Sequence, residues 1–345
     1  MNAVPLAFCD HLCDLLYWKG IWSAKKLSGN YGRQAQLTTK HRAYYKCAVK
    51  DGIEDQRCLQ YEFTRRKVQT PEEIGAASKK YVQDVFIHSL SKKSEKVSLE
   101  IIKRFPFAQY HLALFSSSFI NEAWVDFAYS LKRLRRVWLP TKMDEDALRL
   151  FQKLVTGKKL PILWISPNAC EGRTMDVLKT LLCQEQFEEL KIRNITAEVW
   201  TTTPVSELLQ FWSENSAKLR GKYFVIEYNC RSGIKQLQEF VLKEAFSTDR
   251  ELNISSLHKV LKASSKEECD FIDKEYRHNF YTFATPSCVY KYDEGDGAKQ
   301  KRLYLSFDCD EEYYKSEDQW RPTSYDGRDD LSLIRFTFSF RILFA

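Results

Sequence analysis

Five short apolar runs decide the fold: HLALF at 111–115, VWL at 137–139, ILWI at 162–165, LKI at 190–192 and YFVI at 223–226. Each is too short for a helix and is followed by a stretch with helical spacing: Asn121 to Leu131, Asp144 to Val155, Thr174 to Cys183, Pro204 to Glu214 and Gln236 to Phe246. With Leu112, Leu139, Ile165, Ile192 and Ile226 as equivalents, the steps are 27, 26, 27 and 34 residues. One strand and one helix per step define an α/β chain whose neighbouring units bury a common core.

A period of 26 or 27 residues falls within the range of leucine-rich repeats, which makes an irregular α/β solenoid the expected centre, over residues 106–248. Asn168, Asn194 and Asn229 each follow a strand, where such repeats place a ladder residue. A doubly wound α/β sheet has a similar alternation and is the alternative. Beyond about Asp249 the pattern becomes antiparallel. Leu303, Leu305 and Phe307 alternate with polar residues, and Ile334, Phe336, Phe338, Phe340, Ile342 and Phe344 alternate with Arg335, Thr337, Ser339 and Arg341. With Tyr281 to Tyr292 they predict a β cap of about three strands over 249–345 that covers the edge of the repeats.

Upstream, Phe8, Leu12, Leu15 and Leu16 repeat at helical spacing behind Pro5, and two further short helices complete a head over residues 1–42. Residues 43–105 form a connector. In it Tyr45, Cys47 and Val49 pair across Asp51-Gly52 with Leu59, Tyr61 and Phe63 as a hairpin. Thr70-Pro71-Glu72-Glu73 then opens a helix that Ile74, Tyr81, Val85 and Phe86 continue.

Composition narrows the classes. The 345 residues exceed one ordinary core, and 44% hydrophobic content with 12 Gly and 9 Pro excludes a disordered or collagen-like chain. A net charge of +7 is short of a nucleic-acid footprint. The opening MNAVPLAFCDHLCDLLYWKG lacks a basic leader and carries Asp10, His11 and Asp14 among its apolar residues, so no secretory signal is expected, and no run is long enough to span a membrane. Ten scattered cysteines without a C-x-x-C pair point to a reduced cytoplasmic or nuclear setting. The sequons at Asn194 and Asn253 read as accidental in that setting.

No catalytic, cofactor or metal set emerges, so the chain is expected not to be an enzyme. Ser23-Ala24-Lys25-Lys26 and Ser89-Leu90-Ser91-Lys92 match S-x-x-K without companion motifs. The six histidines have no zinc-like spacing to a cysteine, and Asp308, Asp310, Glu311 and Glu312 lack the glycine of a calcium loop. Lys132, Arg133, Arg135 and Arg136 form the densest basic cluster, read as the decorated end of a helix rather than a nucleic-acid patch. Trp124, Trp138, Trp164, Trp200 and Trp212 sit at core-like positions.

VPLAFCDHLCDLL (4–16), the second helix running to Leu27-Ser28-Gly29-Asn30-Tyr31-Gly32, and the phrases FEELKIRN, LLQFWSENSAKLRGK, CVYKYDEGDGAKQKRLYLSFDC and DLSLIRFTFSFRILFA resemble the nematode F-box-like proteins with an associated C-terminal region. Val4-Pro5 stands at their usual Leu-Pro opening and Tyr31 at the position of a late Trp. The resemblance implies a three-helix head that docks on the Skp adaptor of a cullin ubiquitin ligase through Pro5, Phe8, Leu12 and Leu15. It also implies a downstream region that holds a target protein. An enzyme with a pocket in a doubly wound sheet and an RNA-binding repeat protein are the alternatives.

Overall fold

The computed structural model describes residues 4–16, 18–91, 93–195, 200, 202–245, 254–276, 282–283, 286–295, 300–309, 321–322 and 327–345. The chain is mixed α/β with mostly parallel strands and divides into two compact units, residues 1–138 and 139–345.

In the first unit three helices, α1 (Leu6–Leu15), α2 (Trp18–Ala24) and α3 (Gly29–His41), precede the sheet. Their small core is Cys13, Ile21, Ala24 and Ala35, closed by Leu16 and Phe63. Gly32 is required where α3 begins, because a Cβ there would stand 1.8 Å from the Leu27 carbonyl oxygen. Strands β1 (Ala43–Lys50) and β2 (Ile53–Tyr61) form the expected hairpin, with Asp51 and Gly52 both at positive φ in the turn. Arg104 clamps both carboxylate oxygens of Glu54 at 3.1 and 3.0 Å, tying the hairpin to the helix that carries the arginine.

The expected helix from Thr70 to Phe86 is corrected. Thr70 does cap α4 (Pro71–Ala76), which follows the two-residue β3 (Lys67–Val68), but the helix stops at Ala76 and Val82–Ser89 is a strand, β4. The spacing of Ile74, Tyr81 and Val85 mimics a helix. The β-branched Val82, Val85 and Ile87 nevertheless bury their side chains in a sheet that no local propensity reports. The parallel order thus starts earlier than expected: β1 pairs with β4, β4 with β5 (Gln109–Leu114), and β5 with β6 (Leu134–Leu139). Helices α5 (Glu95–Arg104) and α6 (Glu122–Ser130) connect them and pack on each other. Ile87, Leu112 and Val137 stand side by side at steps of 25 residues. Leu139 is therefore two positions past the true equivalent of Leu112.

The second unit repeats the scheme with α7 (Glu145–Thr156), β7 (Ile162–Ile165), α8 (Arg173–Leu182), β8 (Glu189–Arg193), α9 (Pro204–Leu219), β9 (Tyr223–Glu227) and α10 (Arg231–Ala245). Strands β7, β8 and β9 are parallel neighbours in chain order, and Ile165, Ile192 and Ile226 are aligned as their spacing predicts. Each of helices α7 to α10 packs on the next. At the strand ends Asn194 Nδ2 donates to the Asn229 carbonyl at 3.4 Å, and Asn229 Nδ2 donates back to the Asn194 carbonyl at 3.1 Å. This two-rung ladder joins the buried Asn194 to the following repeat. Asn194→Ala removes the side-chain donor of this ladder from a buried position, so a loss of about 1 kcal/mol is expected in urea unfolding.

After α11 (Ile254–Val260), β10 (Lys262–Ala263), α12 (Lys266–Tyr276) and β11 (Thr282–Phe283) come β12 (Tyr290–Glu294), β13 (Lys301–Cys309), β14 (Arg321–Pro322) and β15 (Thr337–Phe344). Strand β15 pairs antiparallel with β9 on one side and β13 on the other, followed by β12 and β10; β11 and β14 pair separately. The cap expected over the edge is thus an antiparallel continuation of it. Its last strand starts at Thr337 rather than Ile334, since Asp330 accepts a hydrogen bond from the Ser332 amide and starts a 3-10 turn through Phe336. Helices α9 and α10 cover one face of this region, where Trp212 lies against Tyr292 and Phe344. Helix α12 covers the opposite face through Cys269 and Ile272, packed with Tyr223, Val225, Val289, Tyr304 and Leu343. On that face the buried Arg341 guanidinium lies 3.8 Å from the Tyr223 ring centroid.

Candidate functional site

The head leaves an apolar row open. Cys9 and Cys13 turn α1 inward, whereas Leu6 and Phe8 are each 53% exposed, Leu15 is 60% exposed, Pro5 is exposed and Leu12 is half-buried. Of the four residues named from the resemblance, none is a core residue. A salt bridge and a hydrogen bond position the helix: Asp10 pairs with Lys80, and Gln83 Nε2 donates to Asp14 at 2.9 Å.

Beside this row is a groove of about 690 Å³ lined by His11, Asp14 and Leu15 of α1, Lys80 and Gln83 before and in β4, Phe107 and Gln109 at the start of β5, and Arg133, Leu134 and Arg135 at the start of β6. It lies at the amino ends of the parallel strands. Exposed Phe107 forms its apolar wall, and Arg133 is anchored by donating to the Phe107 carbonyl. The basic cluster seen in the sequence is divided by the pleat: Arg133 and Arg135 line the groove, Lys132 is exposed, and Arg136 joins a different surface.

That surface is the sheet face opposite α5 and α6. Register places Tyr44, Lys46 and Lys50 of β1, Asp84, Phe86 and His88 of β4, His111 of β5, and Arg136 and Trp138 of β6 on it. Phe86 stacks on His111 at 4.4 Å, with Lys46 at 5.5 Å and Arg136 at 6.0 Å from its centroid. Along the next rung Trp138 meets His88 at 6.3 Å and Phe115 at 5.3 Å. Trp138 and Trp164, expected in the core, are half-buried on the strand surfaces of their units, whereas Trp124, Trp200 and Trp212 are buried. Trp164 lies between Lys191 and Arg193, each 4.6 Å from its ring, and Glu227 pairs with both cations.

His111 Nε2 lies 2.7 Å from the Asp84 carboxylate, which accepts from it, and its buried Nδ1 has no hydrogen-bond partner, an arrangement that favours the neutral ring. Burial lowers the His111 pKa, aided by Arg136 and Arg135 against the opposing Asp84; burial followed by Lys46 lowers that of His88. Burial alone would raise Asp84, but the His111 bond and nearby cations hold it below the usual carboxylate value. All three groups take up protons more readily when unfolded. Their stability contribution is therefore complete above the unfolded histidine pKa of 6.5 and decreases as pH falls through and below it, with Asp84 adding to the loss only near the carboxylate range. The urea midpoint is expected to drop from about pH 7.5 to about pH 5, less steeply in His88→Gln. Equal slopes in the two proteins would refute the assignment to His88.

Of the other residues singled out, Ser23 and Lys26 are exposed at the end of α2, and Ser89 is buried at the end of β4. Asp308 is buried in β13, while Asp310, Glu311, Glu312, Lys92 and His278 lie outside the described residues. All ten cysteines are free; burial raises the Cys47 and Cys170 thiols well above their usual value and Cys269 to about 12. Among the described residues, no three metal-ligating side chains converge and no helix is long and apolar enough to cross a membrane. The sheet face was not legible beforehand because its residues are 44 to 138 in the chain and meet only through register. Comparison with protein-family models finds no match, and comparison with curated proteins finds none either.

Proposed function

We propose that this chain is an intracellular protein-interaction module, in the cytoplasm or nucleus, that recruits a target protein to a cullin-type ubiquitin ligase. The head docks on a Skp-type adaptor through Pro5, Phe8, Leu12 and Leu15. The strand surface of the downstream repeats holds the target. The observation that carries this reading is the outward apolar row on α1: the head closes its own core with Cys13, Ile21, Ala24 and Ala35 and still exposes Phe8 and Leu15. Strands in chain order, consecutive helices packed on one another and the Asn194–Asn229 ladder support a curved leucine-rich-repeat-like solenoid over a doubly wound sheet. A doubly wound sheet shuffles its strand order and splits its helices between two faces.

The test is size-exclusion chromatography of the purified full chain mixed with a recombinant Skp adaptor. Co-elution as a one-to-one complex is the expected result. Separate elution at every concentration tried would overturn the adaptor reading.

A further inference from the structure

We infer that the strand surface of the first unit recognises an acidic, extended segment of a partner protein, one that carries an aromatic or aliphatic anchor. This rests on the reading of the strand surface as the target-holding side, and it adds the chemistry of the target. Three observations lead to it.

The first is charge. Lys46 and Lys50 are exposed on β1, and among the described residues no carboxylate lies within ion-pair distance of either. Three lysines of β8, β12 and β13 are neutralised, Lys191 by Glu227, Lys291 by Glu268 and Lys301 by Glu294, whereas Lys46 and Lys50 stand together on one strand without such a partner among the described residues. On the four parallel strands of the surface the one carboxylate is Asp84, and His111 already engages it at 2.7 Å. On the neighbouring β2, Asp55 stands opposite Ala48 on the same face but forms no ion pair with either lysine, so Lys46 and Lys50 keep charge that a partner's carboxylates can match.

The second is cover. The corresponding face of the second unit carries the chain's own helix α12 over Tyr223, Val225 and Leu343. The first unit has no such helix among its described residues. Phe115 is 40% exposed there and Trp138 is half-buried, leaving apolar area for an anchor.

The third is preorganisation. Lys46 is held over Tyr44 at 4.8 Å as well as beside Phe86, and Phe86 is stacked on His111. The Lys46 cation is thus fixed, and Lys50 lies four residues further along the same strand, on the same face, where carboxylates spaced along an extended peptide would meet both. The same self-packing argues against an RNA platform, since the Phe86 face is already taken by His111 and the Trp138 ring by edge contacts from His88 and Phe115.

The test is selection of a displayed random peptide library on the immobilised full chain, in parallel with Lys46→Glu/Lys50→Glu. The substituted side chains are exposed, so a circular dichroism melt should match the wild type. Selected peptides are then measured by fluorescence anisotropy against a uridine 12-mer. Wild-type peptides enriched in Asp and Glu, weakened by added salt, at least tenfold weaker on the variant and tighter than the uridine 12-mer are the expected result. Peptides with the charge of the input library, no peptides at all, equal binding to the variant, or preference for the RNA would each overturn the inference. The adaptor co-elution experiment uses neither lysine and reports on the head separately.

Discussion

Phe8→Asp with Leu15→Asp is expected to abolish co-elution of the Skp adaptor while the melting temperature stays within about 2 °C of the wild type. Both side chains are more than half exposed in the free chain, so a carboxylate at either position remains hydrated until the adaptor covers it. In the complex the same carboxylates are buried without partners, an arrangement that costs several kcal/mol and is enough to remove a contact of ordinary affinity. Leu15 is preferred to Leu12 as the second position because Leu12 is half-buried and its replacement mixes folding with binding. Ile21→Asp supplies the contrast. It places charge in the helical core with Cys13 and Ala35, so binding and melting temperature should fall together. Retained adaptor binding in the Phe8/Leu15 variant would remove α1 from the interface.

Trp212→Ala is expected to be the most destabilising single change in the second unit, at about 3–5 kcal/mol in urea unfolding. Trp212 is 0% exposed, and its ring lies 6.4 Å from Tyr292 and 6.3 Å from Phe344, linking α9 to the antiparallel strands. Its Nε1 has no hydrogen-bond partner, so the loss is one of packing rather than of a polar contact. Trp212→Phe should accordingly recover more than half of the loss. A cost below about 1 kcal/mol for the alanine variant would show that α9 and the sheet can collapse into the space.

The parts of this fold that were readable are those where local pattern and tertiary burial agree. Ile165, Ile192 and Ile226 announce their strands because each is fully buried in a short apolar run bounded by turns. Tyr45, Cys47 and Val49 do so by alternation, with Asp51-Gly52 marking the turn. Strand β4 reads as helix because Gln83, Asp84 and His88 break up its apolar residues and the spacing of Ile74, Tyr81 and Val85 fits a helix equally well. Strand β6 was placed but misregistered by two residues, since Leu134, Val137 and Leu139 do not alternate strictly and the pairing shifts between Tyr110 and His111. The adaptor row was named from resemblance, and exposure of Phe8 and Leu15 is information that a periodic apolar pattern alone does not contain. The cationic strand surface required β1, β4, β5 and β6 to be paired before Lys46, Phe86, His111 and Arg136 became one rung.

The position of β15 also sets the order in which the protein can be made. Residues 337–344 fill the slot between β9 and β13, with main-chain pairing on both sides. While the ribosome is still translating the preceding hundred or so residues, β9 has already emerged with its outer amides and carbonyls unsatisfied, and β13 later joins it with the same deficit. Neither can be completed by anything made earlier in its unit. The nascent chain therefore carries an open strand edge until residues 337–344 have emerged, and an edge of that kind is prone to pair with a neighbouring chain in the interval.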